Sequence, residues 1–188
     1  MATTADFKNG MCIELEGELY QIIHFQHKKP GKGAAFVRTK LRHLTSGRVF
    51  EKTFSAGERI KPARVERRPF QFLYKEGENY YFMNQETFDQ VSITEELVDA
   101  PEFLNEGMEV TIVYHADTET PLNCELPQYI EMEITYTEPG IKGDTQTNTF
   151  KKATVESGAE VQVPLFIENG EKIKLDPRSK TYVERVKN

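Results

Sequence analysis

The sequence predicts an all-β protein, and three observations lead there. Val, Ile, Thr, Tyr and Phe are frequent, while long runs of helix formers are scarce. Apolar and polar residues alternate along many stretches, which is the period of a half-buried strand. Gly, Pro, Asn and Asp break these stretches at short intervals, as turns do. With 188 residues the chain has room for three small units of about 60 residues each.

Taken in order, the elements support this class. GELYQIIHFQH, residues 17–27, is a β-rich run that ends in a Lys-Pro-Gly cluster. AAFVRTKLRHL follows and alternates. Ala35, Val37, Thr39 and Leu41 share one face; Phe36, Arg38, Lys40 and Arg42 share the other. Thr45-Ser46-Gly47 marks a turn, and RVFEKTF is the next strand. KPGKG therefore falls at the tip of a β-hairpin. A small barrel of about five strands closes such a unit without bare edges. VERRPF, from about Arg64 to Pro69, carries charge and a proline and reads as a seam. QFLYK, a Glu-Gly-Glu-Asn turn and YYFMN follow it. Thr94 to Leu104 is the best helical candidate, with Thr94 as N-cap and Pro101 limiting its length. MEVTIVYH, LNCEL and YIEMEITY return to period two, with a second seam around Leu126 to Gln128. Glu138 to Phe150 has little periodicity and reads as an exposed loop. KKATVES, EVQVPLFI, EKIKLD and TYVERV are strands separated by turns at Gly158, Asn169-Gly170 and Asp176-Pro177. The segments so defined are 1–65, 66–127 and 128–188.

Composition narrows the function. No apolar stretch approaches the ~20 residues that span a bilayer as a helix. The start, MATTADFKNG, has neither a basic n-region nor an apolar h-region, so a cytoplasmic location is expected. Cys12 and Cys124 lie far apart, fit no metal spacing and read as reduced thiols. His24 and His27 face opposite ways on a strand, and His43 and His115 have no ligand pattern near them, so no metal site is expected. No Ser/His/Asp or Cys/His set has recognisable spacing, no carboxylates pair convincingly, and neither catalytic residues nor a cofactor are assigned. The net charge of −6 hides an asymmetry. Residues 1–68 hold 14 Lys+Arg against 7 Asp+Glu, or +7; the rest hold 10 against 23, or −13. Either surface charge has drifted, or a basic end meets a polyanion while an acidic body avoids one.

HKKPGKGAAF, residues 27–36, is the most informative stretch. Lys32 stands between Gly31 and Gly33, after Lys28, Lys29 and Pro30. It is not a P-loop: G-x-x-x-x-G-K-[ST] is missing, and a strand rather than a helix follows. Two readings remain from spacing. Pro30 and Gly31 can occupy the central positions of a type II turn that happens to carry a lysine. Alternatively, the glycines bare the shoulders of an amine that enters a narrow place, reaching roughly 6 Å from the backbone. Beneath it, Arg38, Lys40 and Arg42 form a basic stripe suited to a nucleic-acid backbone, or simply a solvated face.

On these motifs the chain resembles the bacterial translation elongation factor P family over its full length. KPGKGAAFVRTKLRHLTSGRVFEKTF is similar to that family's lysine-tip hairpin and the strands beneath it. Lys152, Ala153, Gly158, Val161, Val163, Pro164, Ile167 and Gly170 match its C-terminal signature, and PGIKGDT, Pro139 to Thr145, is a third match. The resemblance implies an SH3-like (KOW-like) N-terminal barrel and two OB-fold barrels in an L-shaped, tRNA-like arrangement. The sequence gives no reason to expect a stable oligomer, so a monomer is expected, and the resemblance implies that it binds the 70S ribosome between the P and E sites. There it stimulates peptide-bond formation at consecutive prolines by positioning the CCA end of the peptidyl-tRNA. By the same resemblance Lys32 is the modified tip residue and substrate of a lysine-modifying enzyme, with Lys29, Pro30, Gly31 and Gly33 as the loop around it. Lys28, Arg38, Lys40 and Arg42 would bind tRNA or rRNA. Gly143, Asp144 and Thr145 would meet the E-site codon of the mRNA, although an ordinary Asx turn fits their composition equally. Tyr182 and Arg185 would be small-subunit or tRNA contacts. Four neighbouring readings are a metal-dependent enzyme, a resident ribosomal protein, a two-domain hypusine-containing relative and a factor-P-like paralogue. The first lacks a ligand pattern, the second is opposed by the acidic body, the third lacks the third barrel expected here, and the GKG tip fits factor P better than the fourth.

Overall fold

The computed structural model describes residues 2–139 and 150–186. Strands dominate it. They are β1 (Ala2–Thr3), β2 (Cys12–Leu15), β3 (Glu18–Lys28), β4 (Phe36–His43), β5 (Val49–Ser55), β6 (Arg59–Pro62), β7 (Val65–Glu76), β8 (Asn79–Asn84), β9 (Gln90–Thr94), β10 (Glu109–His115), β11 (Thr120–Glu125), β12 (Ile130–Thr137), β13 (Phe150–Val155), β14 (Glu160–Pro164), β15 (Lys172–Asp176) and β16 (Thr181–Arg185). Helix is confined, among the described residues, to single 3-10 turns. The chain folds as two compact units, residues 1–68 with 112–123 and residues 69–111 with 124–188.

The first unit contains a six-stranded sheet of order β1-β6-β2-β3-β4-β5. Alternation drives it: Val37, Thr39 and Leu41 of β4 are buried, while Arg38, Lys40 and Arg42 are exposed. Val37 and Leu41 join Phe7, Ile13, Ile22, Phe54 and Ile60 in one core, where Phe7 meets Phe54 edge-on at 5.4 Å between ring centroids. A second cluster gathers Cys12, Leu44, Val113 and Leu122.

A five-stranded sheet of order β11-β10-β7-β8-β9 follows. The residues that the sequence marks as a seam, Arg64 to Pro69, largely lie within β7, which runs unbroken from Val65 to Glu76. Pro69 is tolerated because the ladder to β8 starts one residue later, at Phe70↔Asn84. Its carbonyl still accepts from the Gln85 amide at 3.2 Å. The expected helix from Thr94 to Leu104 does not form. Thr94 closes β9 without a side-chain cap, and two 3-10 turns, Glu95–Leu97 and Pro101–Phe103, take its place. Pro101 removes an amide and excludes the residue before it from right-handed helix; Ala100 takes a left-handed φ of 47°.

In the second unit β12-β13-β14-β16-β15 close a barrel, completed by the parallel pair β14–β16 at Gln162↔Thr181. The C-terminal signature serves this fold. Ala153, Val161, Val163 and Ile167 are buried, and Gly158 and Gly170 turn the chain with φ of 87° and 80°. Asp176 builds the expected turn, its carboxylate accepting from the Arg178 amide at 2.9 Å. That turn is tied to the 3-10 segment by Arg178–Asp99 at 3.4 Å and Lys180–Glu102 at 2.6 Å.

Candidate nucleic-acid interface

β3 and β4 form a long antiparallel hairpin, paired from Tyr20↔His43 to Lys28↔Phe36. The segment from Lys29 to Gly33 is its exposed tip. The tip is not the type II turn that Pro30-Gly31 allows, because such a turn needs a positive φ at Gly31. The left-handed residue is Gly33, with φ of 116°, and Gly31 lies outside that region. A Cβ at Gly33 would sit 3.7 Å from Pro30 Cγ; one at Gly31 would meet nothing within 4 Å. Gly33 therefore shapes the loop, whereas Gly31 is required neither by backbone conformation nor by internal packing.

The cationic face below the tip is wider than alternation along β4 indicates. A bulge near Ile23 shifts the register of β3, which puts His24 opposite Lys40 and Gln26 opposite Arg38. Directly paired residues project to the same side, so exposed His24 and Gln26 join Arg38, Lys40 and Arg42. The sequence lacks a signal for this because the bulge breaks period two. On the other flank Glu51 faces Lys40 and Thr53 faces Arg38. His27 stands on the opposite face of β3, edge-on to Phe25 at 5.6 Å.

Charge pairing sets this face apart from many other cations of the molecule. Several of those are neutralised: Lys61 by Glu14, Arg64 by Glu66, Lys75 by Glu95, Lys174 by Glu184. Arg68 donates to both carboxylate oxygens of Glu119, at 2.7 and 2.9 Å, and to Glu66 at 2.8 Å. Among the described residues no carboxylate stands within ion-pairing distance of Lys28, Lys29, Lys32, Arg38, Lys40 or Arg42. Exposed positive charge that no internal ion pair engages is what a polyanion-binding surface needs.

The remaining sequence-derived residues are not brought to this face. Tyr182 and Arg185 lie on β16 of the C-terminal barrel, and Arg185 Nη1 is held by Glu171 at 2.9 Å. Glu171 also accepts from the Glu168 amide at 2.9 Å; that bond and Arg185 hold its carboxyl below the usual range. Gly143, Asp144 and Thr145 lie outside the described residues. Among the described residues no group of His, Cys, Asp and Glu is arranged to hold a metal ion. Cys12 and Cys124 are buried and not joined in a disulfide, and burial pushes the Cys124 thiol up to about 12.

Comparison with known proteins places these features in one class. Residues 3–60 match the elongation factor P KOW-like domain, 65–122 the elongation factor P OB domain and 130–185 the elongation factor P C-terminal domain. The fold and the hairpin thus define an all-β translation elongation factor assembled from KOW-like and OB domains. Among relatives, elongation factor P 1 of Porphyromonas gingivalis is 54% identical and elongation factor P of Bacteroides fragilis 56% identical, each over 187 residues covering 100% of both chains. The chain belongs to the elongation factor P family. A solved structure with the same kind of fold is eukaryotic translation initiation factor 5A from Methanococcus jannaschii. It covers 67% of this chain and 90% of its own, with a TM-score of 0.52 at 19% identity.

Proposed function

We propose that this elongation factor binds the 70S ribosome between the P and E sites and speeds peptide-bond formation at consecutive prolines. It does so by holding the CCA end of the peptidyl-tRNA. The observation that carries the reading is Lys32, on an exposed glycine-flanked tip above a row of cations without internal partners. Family membership supplies the translational setting.

Proline's ring fixes φ and makes its nitrogen a hindered secondary amine, so attacking amine and ester carbonyl meet poorly. The ribosome provides the catalytic centre; the factor acts by position and contributes no acid, base or nucleophile. Lys32, directly or through an added chain, contacts the RNA end. Lys28, Arg38, Lys40 and Arg42 grip the acceptor stem, with Lys29, Pro30, Gly31 and Gly33 shaping the approach. Each 1.4 kcal/mol or so removed from the barrier is worth about tenfold in rate, which one or two lysine contacts in a dry site can supply. In this reading 1–65, 66–127 and 128–188 act as separate barrels. Gly143, Asp144 and Thr145 meet the mRNA at the E-site codon, Tyr182 and Arg185 contact the small subunit or tRNA, and a cytoplasmic enzyme modifies Lys32.

The test is Lys32→Ala in reconstituted translation of a Pro-Pro-Pro message. Stimulation is expected to fall at least tenfold while the variant keeps its melting temperature. Undiminished stimulation would overturn the reading.

A further inference from the structure

Phe88, in the loop between β8 and β9, carries a ring that its own fold leaves largely exposed. Among the described residues the non-glycine positions with left-handed backbone are Glu16, Phe88, Ala100, Glu119 and Lys180. In four of these the residue serves its own fold through its turn or its side chain. Glu16 pairs with Gly17 to make the tight turn from β2 to β3, and Ala100 precedes Pro101. The Glu119 carboxylate clamps Arg68, and Lys180 reaches Glu102 at 2.6 Å. The left-handed backbone of Phe88, at φ 62°, closes the β8–β9 turn, but its ring is 69% exposed and serves no packing there. A bulky aromatic is a poor choice for this backbone, where Gly or Asn fits at less cost. The loop is nonetheless firmly built. Buried Asn84 accepts through Oδ1 from the amides of Glu86 at 2.8 Å and Thr87 at 3.0 Å. Its carbonyl accepts from the Phe88 amide at 2.9 Å, and its own amide donates to the Asp89 carbonyl at 2.8 Å. A pre-formed loop therefore presents an unpacked phenyl ring at small entropic cost to a binder.

The flanking charge selects the occupant. Glu86 and Asp89 are both exposed, and among the described residues neither carboxylate has an ion-pair partner. Two uncompensated carboxylates beside the ring repel phosphate and attract lysine and arginine. We infer that Phe88, framed by Glu86 and Asp89, inserts into an apolar pocket on a basic protein surface. Given the ribosome binding proposed above, on which this rests, that surface belongs to a ribosomal protein. The molecule thus carries two opposite docking chemistries: a cationic hairpin for RNA and an acidic, aromatic-tipped loop for protein.

The experiment uses the full chain and purified 70S ribosomes. Phe88→Asn keeps the left-handed backbone and is expected to melt no lower than the wild type while binding ribosomes about tenfold more weakly. The double variant Glu86→Gln, Asp89→Asn is expected to bind more weakly at low salt. A benzophenone-bearing phenylalanine analogue in place of Phe88 should photo-crosslink to a ribosomal protein at a peptide rich in Lys or Arg. If wild type and Phe88→Asn bind ribosomes equally, or the analogue crosslinks only to rRNA, the Phe88 proposal falls and ribosome binding stands. If the wild type does not bind ribosomes, both fall.

Discussion

Gly31 and Gly33 flank the same lysine for different physical reasons, and the difference can be measured. Gly33 has a φ of 116° that L side chains rarely adopt; Gly31 does not, and a Cβ there meets open space. Gly33→Ala is expected to cost about 1 kcal/mol in thermal or denaturant unfolding. Gly31→Ala should stay within about 0.5 kcal/mol of the wild type. Yet Gly31→Ala should still reduce Pro-Pro-Pro stimulation, because its methyl group stands beside the amine where the tip must enter a narrow site. Equal activity of Gly31→Ala and wild type would show that the shoulder need not be bare. Nothing in sequence spacing separates the two glycines, since the sign of φ is set by how the whole loop closes over Pro30.

At the scale of the element, β4 was legible residue by residue. Period two assigns Val37, Thr39 and Leu41 inward and Arg38, Lys40 and Arg42 outward, and each lies there. One inward residue is imperfect. The Thr39 hydroxyl is fully buried, and Oγ1 has no hydrogen-bond partner. Thr39→Val replaces that hydroxyl by a methyl of similar size and is expected to raise stability by about 1 kcal/mol, read as a higher denaturation midpoint. A lower midpoint would mean that the hydroxyl is satisfied. Where period two fails, alternation no longer predicts which face a residue takes. The bulge near Ile23 carries His24 and Gln26 onto the cationic face. Thr94 to Leu104 departs from expectation as well: an N-cap residue, an acidic first turn and apolar spacing suit a helix there, and two 3-10 turns form instead. Pro101 and the parallel bridge Val98↔Cys124 instead pin the segment to a strand. Local preference yields when tertiary hydrogen bonds are at stake.

For the whole molecule, acid should be the weak side. The Thr3 backbone amide holds the Asp6 carboxyl below its usual range, the Glu168 amide that of Glu171, and Arg68 those of Glu66 and Glu119. Their folded-state pKa values lie below those of the unfolded chain. The stabilisation they give is therefore complete above the ordinary carboxylate range and lost as pH falls through it. The melting temperature should be nearly flat from pH 8 to 6 and drop below about pH 4. Glu119→Gln combined with Glu171→Gln should flatten that drop, and an unchanged slope would remove these carboxylates as its cause.

What the sequence determined by itself is whatever repeats locally. That covers the β class, the phase of each strand, the outward row of cations, the exposed lysine and the apolar signature of the last barrel. Tertiary structure alone decided which partners those residues meet. It left the cations of the hairpin outside any ion pair while pairing several cations elsewhere, put the left-handed residue at Gly33 rather than Gly31, and displayed Phe88. The physical reason is range. Alternation is written in neighbours along the chain, whereas register, charge pairing and the sign of φ are fixed by segments that meet only when the sheets close.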